Sequence, residues 1–403
     1  MADRFVDPFF PNRPVDDPQR FSGRKDQVEA IIDAIYQIKN NNPIHTIITG
    51  DRGIGKSSLL LQTKLVAEGD NVLPEKFGID IGVPRYDFLV GWHDVDAGQG
   101  PAHISTGLMH NFQSLFGRLL KNVKLEISLG TFIKIAKKES VEQTVSELVT
   151  IFCEDAAKLS RVAYDNKKDG VLFFIDELDR ADAESGIATF FKLVAERLPR
   201  MKVNNVAFIC AGITGAIQKL EVEHASIART FKDVPIPRLT EGETEEIIKD
   251  GFDKVGRTYN NRIPVLTYRL SSGFPEPVHL LGSEMLKVDT DGYVDETDFT
   301  EAKERIVTIV RRNKLSMLLK QSGSGKYQHI VLAMAEYDGT NVPLSFISSQ
   351  IGQTQNQYST NMSALVERGI IFRLDIGIYA FVDPLLKEYI QKFGIISAKS
   401  EED

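Results

Sequence analysis

Apolar positions in the first 240 residues alternate between short unbroken runs and longer stretches with helical spacing. Three runs stand out: Thr46-Ile47-Ile48-Thr49, Gly170-Val171-Leu172-Phe173-Phe174-Ile175, and Asn205-Val206-Ala207-Phe208-Ile209-Cys210-Ala211-Gly212-Ile213-Thr214. A run that is apolar on both alternating faces is the pattern of a strand buried on both sides, as in a parallel sheet. Tyr86-Asp87-Phe88-Leu89-Val90 predicts a fourth strand. Between the runs, Val28, Ile31, Ile32 and Ile35 repeat at helical spacing in a helix that starts within Phe21–Gln27. Further helices are expected over Ser105–Leu120 and from about Ser140 to Tyr164. Lys124–Leu129 and Phe132–Ala136 alternate apolar and polar positions around Gly130, which predicts a solvent-facing hairpin. Strands alternating with helices predict an α/β fold built on a parallel sheet.

The pattern changes near Leu239. Thr240-Glu241-Gly242-Glu243 reads as a helix start with acidic residues in its first turn. From there to about Lys320 only helices are expected: Val265–Leu270, Pro277–Leu281 and one long helix from Phe299 to Leu319. Ser322-Gly323-Ser324-Gly325-Lys326-Tyr327 reads as a flexible linker. Beyond it come a helix over Ile330–Tyr337, the segment Pro343–Ile347, a polar turn Gly352–Asn356 and a helix over Tyr358–Arg368. Two short strands, Ile370–Leu374 and Ile378–Val382, and a closing helix complete a winged-helix plan. The expected organisation is a Pro-rich arm (1–20), an α/β core (21–239), an all-helical lid (240–320), a winged-helix domain (321–396) and a charged tail (397–403).

Candidate chemistry sits at the ends of the apolar runs. Gly50-Asp51-Arg52-Gly53-Ile54-Gly55-Lys56-Ser57 fits the phosphate-binding loop G-x-x-x-x-G-K-[ST] without a mismatch, between a strand and a helix opened by Ser58. Its glycines let backbone N–H groups converge on one point, and the helix N-terminus adds partial positive charge. Lys56 is placed to reach the β- and γ-phosphates of ATP, and the Ser57 hydroxyl to ligate Mg²⁺. The second run ends in Asp176-Glu177, where carboxylates face a ligand bound at the strand ends. Asp176 then holds Mg²⁺ and Glu177 polarises the attacking water. Thr214 ends the third run, as a contact to the γ-phosphate or as a helix N-cap; the sequence leaves both open. Arg229 is either an arginine finger, in cis or toward a neighbouring subunit, or a surface arginine.

Composition narrows the setting. The 403 residues are 42% hydrophobic and 26% charged with a net charge of -8, ordinary for globular domains and unfavourable for broad nucleic-acid binding. The two cysteines, Cys153 and Cys210, have neither metal spacing nor a disulfide framework, which fits a reducing, cytoplasmic setting. Met1–Pro8 lacks the order of a signal peptide, and no apolar run is long enough to span a bilayer. The seven histidines pair with no Cys or carboxylate at ligand spacing. Arg305, Arg311, Arg312, Lys314 and Lys320 form a basic helical stretch, but the predicted recognition helix offers only Arg368 and the wing only Arg373.

In this order, the phosphate loop, the Asp-Glu strand, the strand with Thr214, the helical lid and the winged helix resemble the AAA+ and STAND ATPases, and among them the ORC-like ATP-binding proteins. The resemblance covers nearly the whole chain. Phe21, Gly23 and Arg24 match the Phe-x-Gly-Arg box of this family, which implies that they line the adenine and ribose side. Gly273-Phe274-Pro275 is similar to the Gly-x-Pro motif of STAND lids, which implies that Pro275 contacts the base. Arg229 stands where such proteins carry a post-strand arginine. One departure is the absence of a sensor arginine near Glu276-Pro277-Val278, with His279 the nearest polar replacement. The resemblance implies an ATPase switch whose ATP or ADP state governs a protein partner or self-assembly. Two other readings are a DNA-binding initiator or loader, less favoured on charge, and a nucleotide-locked scaffold of a multi-protein system such as one of defence.

Overall fold

The computed structural model describes residues 5–119, 141–182, 184–224 and 226–395. The predicted hairpin at Lys124–Ala136 and the tail at 397–403 lie outside the described residues. The chain divides into two compact units: Pro14–Pro237, and the residues up to Arg13 together with those from Arg238 onward.

The first unit holds a five-stranded parallel sheet. Its strands are β1 (His45–Gly50), β2 (Leu89–Asp94), β3 (Val171–Asp176), β4 (Val206–Ile213) and β5 (Phe231–Pro235), in the spatial order β2-β3-β4-β1-β5. Its helices are α1 (Lys25–Lys39), α2 (Lys56–Ala67), α3 (Val72–Phe77), α4 (Pro101–Leu119), α5 (Val141–Asp165), α6 (Ile187–Arg200) and α7 (Ala216–Glu223). β1 and β3 are buried along their whole lengths, as their unbroken apolar runs predict. Phe152, Phe173, Phe190, Phe191 and Phe208 pack ring on ring at centroid separations of 5.0–5.8 Å in the core on one face of the sheet. His45 is buried at the start of β1, where its Nδ1 accepts the Phe208 amide at 3.0 Å.

Two strand expectations need correction. The strand predicted at Tyr86–Val90 lies further along, because pairing with β3 begins at Leu89 opposite Val171. Tyr86 is instead a buried anchor whose hydroxyl donates to the Ile81 carbonyl. The polar end of β2, Trp92-His93-Asp94, hides this strand from a search for apolar runs. β5 escapes it too, because only Phe231 and Val234 are buried along this edge strand.

The second unit is mostly helical: α8 (Glu241–Lys254), α9 (Ile263–Ser271), α10 (Pro275–Val288), α11 (Glu296–Arg305), α12 (Arg312–Gln321), α13 (Lys326–Ala335), α14 (Leu344–Ile351), α15 (Ser359–Glu367) and α16 (Leu385–Phe393). Thr240 caps α8 reciprocally with Glu243. The single helix predicted over Phe299–Leu319 is broken by a π-helical turn at Ile306–Val310 into α11 and α12. Ser322–Gly325 is an ordered turn leading into α13 rather than a flexible linker. Ser322 is fully buried there, and Gln328 donates to the Leu319 and Gly323 carbonyls and to the Ser322 hydroxyl. Three short antiparallel strands, Val342–Pro343, Ile371–Asp375 and Ile378–Phe381, form a small sheet beside α13–α16.

The core of this unit is completed from the other end of the chain. Phe9 packs edge-on against Phe252 and faces the backbone of two helices at Gly251 in α8 and Gly282 in α10. A Cβ on Gly251 or on Gly282 would lie 2.3 or 2.4 Å from the Phe9 ring. Asp7 fixes the same segment, accepting from the Phe9 amide at 2.9 Å and from the Ser283 hydroxyl at 2.5 Å.

Candidate functional site

The strand order sets the geometry of the site. β4 lies between β1 and β3, so Thr214 emerges between the glycine loop after β1 and Asp176-Glu177 at the end of β3. Gly53 and Gly55 have φ of +78° and +101°, which only glycine adopts without cost, and they carry the chain from Gly50 around to the first residue of α2, Lys56. Ile54 is buried and anchors the loop from within, while Arg52 and Gly53 are exposed. Lys56 Nζ donates to the carbonyls of Gly50 (2.9 Å) and Asp51 (3.0 Å). Burial lowers its pKa, opposed by Asp179, Asp176 and Asp51.

Asp176 is 6% exposed, and its carboxylate accepts the Glu177 amide at 2.8 Å. Burial raises its pKa, against the pull of a hydrogen bond from Ser57 and the Glu177 amide, with Asp94 adding to the rise. Asp94 stands beside Asp176 in the β2–β3 register, and Trp92 Nε1 donates to it at 2.8 Å. Glu177 has φ of +56°, a left-handed conformation rare outside glycine that concentrates at functional sites. Its carboxylate pairs with Arg180 at 2.8 Å. Among the described residues no group of three or more His, Cys, Asp or Glu side chains is placed to hold a metal ion. The hydroxyl of Ser57 and the carboxylate of Asp176 are hard oxygen donors already in contact, a pair that fits a magnesium ion retaining several waters.

Thr214 is not a helix cap: Gly215 occupies that position before α7. Its hydroxyl donates to Asp51 Oδ1 at 3.0 Å, and its amide to the Gly50 carbonyl at 3.2 Å, tying β4 to the loop. Asp179, which the sequence reading passed over, accepts the Ile213 amide at 3.0 Å. The only trace of it in the sequence is a second carboxylate three residues after Asp176.

The remaining expected residues are more dispersed. The Ser58 hydroxyl accepts the Val15 amide at 3.1 Å. Phe21 is buried with its ring 6.5 Å from that of Phe77. Gly23 and Arg24 both have positive φ, and Arg24 is buried, donating to the Ile54 carbonyl at 3.3 Å and so bracing the loop. Arg229 is exposed at the end of the 3-10 turn Ile227–Arg229. Pro275 opens α10 in the second unit, where Gly273 accepts the Leu239 amide at 2.8 Å. His279 does not replace a sensor arginine. It is buried edge-on to Phe9 and Phe10, and burial lowers its pKa to about 4.

The candidate DNA-binding cations are largely engaged inside the second unit. Arg368 donates to the Ser322 carbonyl at 2.6 Å and lies over the Tyr327 ring, and Arg373 donates to the Asp375 carbonyl. Arg305 and Arg311 pair with Glu284 and Glu276, and Lys314 with Asp383. No helix among the described residues is long and apolar enough to cross a membrane.

Residues 20–209 match the family described as an AAA ATPase domain, and residues 321–390 match a domain of unknown function, DUF8462. No curated protein matches the chain. Among solved structures, the Walker-type ATPase PABY2304 of Pyrococcus abyssi is 17% identical with a TM-score of 0.57, the match covering 94% of this chain and 98% of that one. The ORC2 protein of Aeropyrum pernix, solved as ADPNP–ADP complexes, is 14% identical with a TM-score of 0.53, covering 95% of this chain and 98% of that one. At such identities the likeness is one of fold: a P-loop ATPase fold of the ORC-like type.

Proposed function

Residues 20–209 make this chain an AAA ATPase-domain protein, and from that premise we propose that it is a slow ATP-hydrolysing switch whose nucleotide state governs a protein partner or self-assembly. The observation that carries the reading is the convergence of Lys56, Ser57, Asp176, Glu177 and Thr214 at the ends of three adjacent strands. Backbone amides of the loop and the Lys56 ammonium bind the phosphates. Ser57 and Asp176 hold Mg²⁺, which when bound neutralises charge on the phosphate oxygens. Glu177 orients and polarises the attacking water, and Thr214 marks the γ-phosphate position. Arg229, exposed on its turn, supplies positive charge to the site of its own chain or of a neighbouring copy. Phe21, Gly23 and Arg24 border the adenosine.

In this reading residues 240–320 are the lid and 321–396 a winged helix that docks protein, since its few cations are engaged internally. ATP and ADP act as a switch only if they favour different conformations.

The test is ATP turnover by the wild type and by Glu177→Gln, with the mass measured by size-exclusion chromatography in each nucleotide state. Turnover in the wild type alone, with a mass change between ATP and ADP, is the expected result. Equal turnover in both proteins would remove Glu177 from the mechanism. One observation favours a second reading, a nucleotide-locked scaffold: the Glu177 carboxylate is already paired with Arg180. Tightly retained ATP with no turnover would establish that alternative.

A further inference from the structure

Asp179 lies on the 3-10 turn Leu178–Arg180, one turn past the Asp-Glu pair; it contacts the end of β4, and its charge acts on Lys56. Its Oδ1 accepts the amide of Ile213, the residue before Thr214. Asp179 is also the foremost of the three carboxylates acting on Lys56, ahead of Asp176 and Asp51. The contacts form a circuit. Lys56 holds the Gly50 and Asp51 carbonyls, Asp51 holds the Thr214 hydroxyl, Thr214 holds Gly50, and Asp179 holds the strand that presents Thr214.

We propose that Asp179 is a positioning residue with two separable tasks: it fixes the end of β4, and with it Thr214, and it is the counter-charge of Lys56 that a phosphate displaces. This rests on the nucleotide-binding reading above. The two tasks predict opposite consequences for binding and for turnover. An anion beside an anionic ligand opposes binding, so removing the charge favours nucleotide. Losing the acceptor for the Ile213 amide loosens Thr214 and slows the chemistry.

Asp179→Asn keeps an acceptor oxygen and loses the charge; Asp179→Ala loses both. Titration with a fluorescent ATP analogue, steady-state turnover and thermal melting of the full chain separate the tasks. For Asp179→Asn the expected result is binding tighter by roughly threefold to tenfold, with kcat nearly unchanged. Asp179→Ala should bind as tightly as Asp179→Asn but lose about tenfold or more in kcat, as when an aligned group in a site is displaced. Weaker binding in both variants by the same factor, or a lower melting temperature with no change in the balance of binding and turnover, would overturn the proposal. In a wild type that binds without turnover, the binding comparison alone decides: tighter binding by Asp179→Asn supports the counter-charge role, and unchanged or weaker binding removes it. Lys56→Ala separates the two failures. If neither wild type nor Lys56→Ala binds nucleotide, the nucleotide reading itself falls and Asp179 falls with it. If wild type binds and Lys56→Ala does not, the nucleotide reading stands whatever Asp179 does.

Discussion

The unit around the sheet closes its core with residues from one continuous stretch, Pro14–Pro237, whereas the helical unit takes Phe9 from the far end of the chain. Each unit also buries a histidine, but on different terms. His45 spends its Nδ1 on the Phe208 amide, while His279 Nδ1 has no hydrogen-bond partner among the rings of Phe9 and Phe10. One core thus satisfies its polar group with a backbone amide of a sheet strand. The other is held by shape, with glycines on two helices opposite an aromatic ring. A core of the second kind is more sensitive to a single methyl group, because close packing leaves little room to relax.

The sharpest way to break this contrast is at Phe9. Phe9→Ala should cost the helical unit about 3–5 kcal/mol, the range for a deleted buried aromatic ring, and leave the sheet unit's transition in place. Urea unfolding followed by a probe in each unit would measure both. Gly282→Ala should destabilise by about 1–3 kcal/mol, and that cost should largely vanish in a Phe9→Ala background, where no ring meets the added methyl. Additive effects would mean that the ring and the glycines are not one socket.

A comparison of the two histidines by pH comes next. Burial lowers both to about 4, so each is neutral in the folded chain and takes up a proton more readily when unfolded. Their contribution is therefore complete above about pH 6.5 and is lost as pH falls toward 4, to a total of about 3 kcal/mol each. Chemical denaturation between pH 7 and pH 4 should show both units weakening over that window. His279→Phe should flatten the dependence of the helical unit alone. A slope unchanged by that substitution would show that His279 does not govern it.

Lys56→Ala has the most confined expected effect. It should weaken nucleotide binding by roughly 100-fold, near 2.8 kcal/mol, and leave both unfolding transitions of the ligand-free protein almost unmoved. Equilibrium binding of a fluorescent ATP analogue reads it directly.

The same contrast explains what was legible in the sequence. β1, β3 and β4 showed themselves because strands buried on both faces must be apolar throughout. The phosphate loop was visible because its chemistry requires particular residues at fixed spacing. β5 was missed because this edge strand buries only Phe231 and Val234, and Asp179 because its role depends on where β4 runs, which no local pattern records. Gly251 and Gly282 read as weak points in their helices, at about 1 kcal/mol each relative to alanine. Only Phe9, more than two hundred residues away in the sequence, gives them a purpose. His279 misled for a related reason: an isolated polar residue beside the expected sensor position looked like a substitute for it, and its surroundings come from the N-terminal segment.

Phe9 also has a history during synthesis. It leaves the ribosome long before Gly251 and Gly282 exist, and at about 5–20 residues per second the wait for its socket is on the order of 15–55 s. Through that interval Phe9 has no native place to go, while the sheet that follows it is assembling. The helical unit reaches its final form only after Phe9 is reunited with residues made more than two hundred positions later.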